Sequence, residues 1–236
     1  MIYYYKILMS LNPFEEQAIA YEWMNFIENT DESLYVDEIF PAIAAWGRRQ
    51  KGVLIDVGCG QGNAVHQLVD NETIQYWGIE PSPHLLDRAQ ELFSRYSWCT
   101  FECGSFSALP HTDNFFDAGM SINVLSHVSD INASIMELVR VLKVGASVFI
   151  VSLNPEQNDF WKERYCNAVK IDNGIMGTVV TEKSLLHRNT LYPHSPAEWE
   201  RALQSNKLEI IDRKTYGQMS ASSEGIFVAL ECLVRA

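Results

Sequence analysis

Residues 53–63 read VLIDVGCGQGN: an apolar run closes on Asp56, and glycine then takes every second position at Gly58, Gly60 and Gly62. A short apolar run broken by glycines predicts a buried strand entering a tight loop. Glycine lets the backbone approach a ligand closely, and the start of the next helix offers free N–H groups. Phosphates, dinucleotides and sulfonium compounds can all be held this way. The dinucleotide fingerprint GxGxxG, counted from Gly58 and Gly60, needs its third glycine at position 63, which is Asn63. A P-loop needs Lys-Ser or Lys-Thr after the glycines, and neither follows. The pattern is instead DxGxGxG.

The chain around this stretch alternates short apolar runs with amphipathic ones. Strands are expected at 53–57, 74–80, 99–103, 116–123 and 147–153, with helices at 63–69, 84–96 and 131–142 between them. That rhythm predicts an α/β fold: a doubly wound, mostly parallel seven-stranded sheet with helices on both faces. The last two strands, LEIIDRKTYG and GIFVALECLVR, stand too close for a crossover and should form a C-terminal antiparallel β-hairpin. Before them, SPAEWERALQSN predicts a helix with Ser195 as cap, Pro196 at its first position and Glu198 completing a capping box. Two helices, at 14–29 and at 35–48 with a start or break near Pro41, predict an N-terminal helical cap over residues 1–50. Residues 51–236 form the main domain, with a lid or hairpin inserted at about 154–194.

Composition bounds the function. The 236 residues are 47% hydrophobic and 20% charged, with 30 acidic side chains against 18 basic and a net charge of −12. This describes a globular protein. Without a Lys/Arg cluster it is poorly suited to nucleic-acid phosphates or anionic membranes, so neither is an expected partner. Five scattered cysteines, with no CxxC pair and no histidine at zinc spacing, predict no metal site and a reduced, cytoplasmic protein. The opening MIYYYKILM is too short for a membrane span and lacks a cleavage site; no signal peptide is expected, and Met9 is an alternative start.

Glu80 closes the second strand about twenty residues beyond the glycines. An ionised carboxylate only accepts hydrogen bonds, so at this place it suits the two hydroxyls of a ribose, whichever nucleoside carries it.

With these residues in view, the chain resembles the class I S-adenosylmethionine-dependent methyltransferases. VLIDVGCGQG is similar to that family's first motif and GIEPSPHLLDRA to its second. CGSFSALPHTDNFFDAG is similar to the stretch the family writes GDAxxLPFxDxSFDxV. SINVLSHVSD resembles the fourth motif, and ELVRVLKVGASVFIV the helix and strand around RVLKPGG. The resemblance implies S-adenosyl-L-methionine as cofactor. Asp56 would serve the ammonium group, Gly58, Gly60 and Gly62 the close backbone approach, and Glu80 the ribose, with Pro81 near adenine. Ser105 and Phe106 would sit at the adenine edge, Asn123 below the methionine chain, and Tyr21 on the capping helix. Ser105 departs from the family's usual Asp, and Val144 and Ala146 from its Pro and Gly.

Methyl transfer is an in-line displacement that rests mainly on positioning, with a general base only where the acceptor arrives protonated. His127, and His187 and His194 in the insertion, are the candidate bases; for His127 the alternative is a structural histidine and for His187 a surface one. Phe160, Trp161, Tyr165, Tyr192 and Trp199 are candidates for an aromatic acceptor pocket. No NPPY motif follows the fourth strand and no Pro-Cys pair occurs, so a small-molecule acceptor is expected; the oligomeric state stays open. A nucleic-acid or protein methyltransferase working with a partner, a non-catalytic cofactor-binding module and an NAD oxidoreductase are the rival readings.

Overall fold

The computed structural model describes residue 20 and residues 35–156, 165–171, 174–179, 187–217 and 225–236. Tyr21 and nearly all of the predicted helix at 14–29 lie outside the described residues, as do Phe160 and Trp161.

The strand of the glycine motif is β1 (Gly52–Val57), followed by β2 (Ile74–Glu80), β3 (Cys99–Cys103), β4 (Phe116–Ile122) and β5 (Leu142–Leu153). Three further strands, β6 (Tyr165–Ile171), β7 (Gly174–Val179) and β8 (His187–Leu191), pair antiparallel in a sheet of their own. Then come β9 (Leu208–Tyr216) and β10 (Phe227–Val234). The main sheet has seven strands in the order β3-β2-β1-β4-β5-β10-β9. All its pairs are parallel except β10 with β5 and β10 with β9. Strand order reverses between β1 and β4, the place where open α/β sheets bind ligands.

Alternation along the central strands builds two core layers. Leu54, Tyr76, Ala118, Met120, Phe149 and Val151 face one side. They meet α1 (Phe40–Gly47) through Ile43 and Trp46, and α2 (Pro83–Leu92) through Leu86 and Ala89. Ile55, Val57, Ile79, Val148 and Ile150 face the other side. There they meet α3 (Ile131–Val141) through Ile135 and Leu138, and α4 (Pro196–Ser205) through Trp199 and Leu203. The expected fold class, helices on both faces included, is the observed one.

Helix starts follow the sequence signals. Ser195 and Glu198 complete the capping box of α4, Ser82 caps α2 with Pro83 at its first turn, and Asp130 accepts from Ala133 N at α3. Pro41 sits in the first turn of α1, where no N–H is needed, after a π-helical turn over Tyr35–Ile39. Three expectations need correction. The helix after the glycine loop is a five-residue 3₁₀ segment, Asn63–Gln67, rather than a helix over 63–69. The helix expected at 84–96 ends at Leu92, where the next residue, Phe93, turns its ring in against Phe101 and His66. Strand β5 begins at Leu142 rather than Ser147, because Leu142 already pairs with Phe116 before the register shifts.

Gly62 and Gly145 separate two costs of replacing a glycine. Both have left-handed φ, +87° and +86°. A Cβ on Gly62 would stand 2.6 Å from the Phe93 ring, whereas one on Gly145 meets nothing within 4 Å. Gly145→Ala should therefore lose about 1–2 kcal/mol, from backbone strain alone. Gly62→Ala should lose about 1–3 kcal/mol more, from overpacking. Urea denaturation of both variants checks this, and equal losses would contradict it.

Candidate functional site

The carboxyl ends of β1, β2 and β4 converge on the glycine loop. Asp56 on β1 lies beside Gly78 of β2 and Met120 of β4. The loop doubles back on β2: the N–H groups of Gly58 and Cys59 both donate to Ile79 O, at 2.7 and 3.2 Å. Gly58 (φ +78°) packs where a Cβ would stand 2.4 Å from Val124, so the loop and the turn after β4 are in direct contact.

Glu80 and Asp56 are both buried, at 5% and 2% exposure. Glu80 accepts from Gly60 N through one carboxyl oxygen (3.0 Å) and from Ser82 N through the other (2.9 Å). It thus ties the glycine loop to the start of α2, and each oxygen keeps a further lone pair. Asp56 Oδ2 accepts from the Tyr76 hydroxyl at 2.6 Å, while Asp56 Oδ1 has no partner. Burial pushes the Asp56 carboxyl up to about 7; the Tyr76 hydrogen bond pulls it down and the charge of Glu80 adds to the rise. Burial likewise raises Glu80 to about 7 against the pull of its two amide bonds. The Cys59 thiol, buried beside both carboxyls, is raised well above its ordinary value by burial first and then by their charges, so it is not a nucleophile.

Among the described residues, buried side-chain oxygens without a protein partner gather around this end of the sheet: Asp56 Oδ1, Gln61 Oε1, Asn123 Oδ1, Ser126 Oγ and Ser152 Oγ. Polar atoms so deeply placed are normally bonded. Three of these oxygens, on Asp56, Gln61 and Asn123, belong to carboxyl or amide groups and can only accept, which suits a ligand that brings N–H or O–H donors. No group of three or more His, Cys, Asp or Glu residues that could hold a metal ion occurs among the described residues. No helix there is long and apolar enough to cross a membrane.

The other sequence candidates fall as follows. Pro81 follows Glu80 directly and is half-buried. Asn123 has φ +60° and donates its N–H to Val151 O at 2.6 Å, which ends β4 and turns the chain into the 3₁₀ segment Leu125–His127. His127 is half-buried at the end of that segment. His187 opens β8, its backbone opposite Val179; its side chain lies outside the described residues. Ser105 spends its hydroxyl within its own turn, bonding Ser107 Oγ at 2.7 Å and accepting from Ser107 N. Phe106 is 3% exposed and packs with Ile79, Leu109 and Phe116 in the α3/α4 layer. Trp199, offered as a pocket aromatic, is a core residue at 1% exposure.

Sequence reasoning missed Tyr76, although its place two and four residues before Gly78 and Glu80 puts it on their face of β2. It also missed the seam joining the inserted strands to the site. Tyr192 N donates to Ser126 O at 2.8 Å, the His194 ring bonds Val128 O at 2.7 Å, and the two rings stack. The end of the insertion is thereby fastened to the turn that carries Ser126 and His127.

Comparison with known proteins agrees with this geometry. Residues 55–150 match the family model described as a methyltransferase domain. An uncharacterized methyltransferase of Schizosaccharomyces pombe is 36% identical over 107 residues, 40% of this chain and 37% of that protein. The ajmaline N-methyltransferase of Rauvolfia serpentina is 34% identical over 102 residues, 42% of this chain and 35% of that protein. The chain thus spans little more than a third of the length of these curated relatives. Among solved structures, the PH0226 protein of Pyrococcus horikoshii superposes with a TM-score of 0.70 at 16% identity, covering 88% of this chain and 93% of that one.

The two raised carboxyls set a pH dependence of stability. Unfolded, they titrate near 3.8 and 4.5; folded, they hold their protons to about 7. Between those limits the folded state binds more protons, so the ligand-free protein loses stability as pH rises from about 4.5 to 7. Glu80→Gln should flatten its share of that slope, as read by urea denaturation at pH 5, 6, 7 and 8. A slope unchanged in the variant would contradict the assignment.

Proposed function

We propose that the protein, whose residues 55–150 match the family model of a methyltransferase domain, is a class I S-adenosylmethionine-dependent methyltransferase that transfers the methyl group of S-adenosylmethionine to a small molecule. One observation carries the reading: at the switch point of the sheet, a glycine loop held by Glu80 stands beside an Asp56 oxygen that is buried and unpartnered. S-adenosylmethionine supplies what these atoms lack. Its ammonium group donates to carboxylate oxygen, its ribose hydroxyls can donate to the spare lone pairs of Glu80, and its sulfonium brings the positive charge that ionises both acids. When bound, the cofactor supplies a methyl group on an excellent leaving group. The chain's part is to hold the donor, align the acceptor and exclude water.

The acceptor side is framed by the turn after β4 and the end of the insertion, joined at Tyr192 and Ser126. In our reading, the hydroxyls of Ser126 and Ser152 and the amide oxygen of Asn123 give that side neutral hydrogen-bonding groups. His127 is the base for acceptors that arrive protonated, and His187, on β8, is the second candidate. The Rauvolfia relative, an N-methyltransferase of ajmaline, and the acidic surface both favour a small acceptor over nucleic acid.

The reading is tested by incubating the protein with methyl-labelled S-adenosylmethionine and separate panels of small amines, phenols and sterols, with transfer RNA and a protein extract as controls. Label in a small molecule, with S-adenosylhomocysteine released alongside, is the expected result. Label in macromolecules alone would overturn the small-molecule assignment.

A further inference from the structure

The oxygen of Asp56 that a ligand could reach is defined by what occupies the other one. Tyr76 is fully buried, and its hydroxyl donates to Asp56 Oδ2 at 2.6 Å. Register explains the reach: Tyr76 lies beside Leu54 and Gly78 beside Asp56, so the ring rises along β2 past a residue without a side chain. That space is closed to anything larger, since a Cβ at Gly78 would stand 2.7 Å from both Cys59 Sγ and the Phe101 ring. Phe101 in turn holds the Tyr76 ring at 5.7 Å between centroids. The hydroxyl is therefore aimed by packing, and the carboxyl is held by one oxygen while Oδ1 stays unpartnered.

We propose that Tyr76 is a positioning residue of the cofactor site: by engaging Asp56 Oδ2 it orients the carboxylate so that Oδ1 faces the ammonium group of the methyl donor. The inference rests on the methyl-donor reading above. A buried carboxylate that must stay ionised for a cation needs a donor that does not compete for the same oxygen, and a buried phenol meets that need. The titratable groups around Asp56 are few among the described residues. Glu80 comes from the end of β2 and Cys59 from the loop, with Cys99 of β3 behind Tyr76. His66 of the 3₁₀ segment packs tilted against Phe93, and β4 presents Met120. The Tyr76 hydroxyl is the group that favours the ionised form of Asp56, so without it the carboxyl keeps its proton to higher pH.

The test is calorimetric binding of S-adenosylmethionine and S-adenosylhomocysteine between pH 6 and 9. Wild-type affinity should rise through about pH 7 and level off as the two carboxyls ionise. In Tyr76→Phe that rise should move to higher pH. The variant should bind roughly tenfold more weakly at pH 7, the size of a lost hydrogen bond to a charged group, and the gap should narrow toward about pH 8, above which the ligand's own ammonium loses its proton. Asp56→Asn removes the group that Tyr76 acts upon, so adding Tyr76→Phe to it should shift the profile no further. A Tyr76→Phe protein that melts earlier yet binds with the wild-type profile would show a purely structural tyrosine and overturn the inference. A further shift in the double variant would overturn it too. Failure of the wild type to bind either ligand is a separate outcome, one that removes the methyl-donor reading itself.

Discussion

Two carboxyl groups buried at the ends of neighbouring strands are the constraint around which this site is built. Burying an ionised carboxylate is costly unless hydrogen bonds or an opposite charge replace the lost water. Here the replacement is incomplete by construction. Glu80 has two backbone N–H groups and Asp56 has one phenol, and none of these donors carries a charge. Both acids are therefore held near neutrality in pKa, and stability is given up at the place where a cationic ligand would return it.

The rest of the architecture serves that arrangement. Parallel pairing sets Asp56 beside Gly78, with Glu80 two residues further along the same strand. The glycine loop supplies the amide that Glu80 accepts, and its left-handed residues let the chain fold back onto Ile79. Ser121 donates to Val57 O at 2.9 Å and so locks the ends of β4 and β1 together across the switch point. On the far side, the Tyr192 and Ser126 backbone bond carries the inserted strands to the same end of the sheet. The glycine loop and the inserted strands thus both meet the turn that follows β4, which the left-handed Asn123 opens.

Much of this was legible in the sequence, for a physical reason. Strands buried on both faces are nearly continuous apolar runs, and VLIDV, IQYWGIE and SVFIVSL announce themselves. The cap at Ser195 is a local code that needs no tertiary context. What escaped depends on packing at a distance. YCNAVKI and HRNTL carry no clean alternation, so the insertion could be read as a lid or hairpin but not as three strands. The direction of Phe106, inward rather than toward the loop, is set by Ile79 and Phe116, which no local spacing encodes. The reach of Tyr76 to Asp56 needed the register of two strands and the absence of a side chain at Gly78.

The measurement that bears most directly on the central claim is a set of thermal melts with S-adenosylmethionine, S-adenosylhomocysteine and NAD in parallel, on wild type and Glu80→Ala. A ligand present at about 100 times its Kd adds roughly 2.7 kcal/mol, which for a chain of this size raises the Tm by about 5–10 °C. The account predicts that rise with the first two ligands, none with NAD, and its loss in Glu80→Ala. A rise with NAD alone, or one that survives the substitution undiminished, would contradict it.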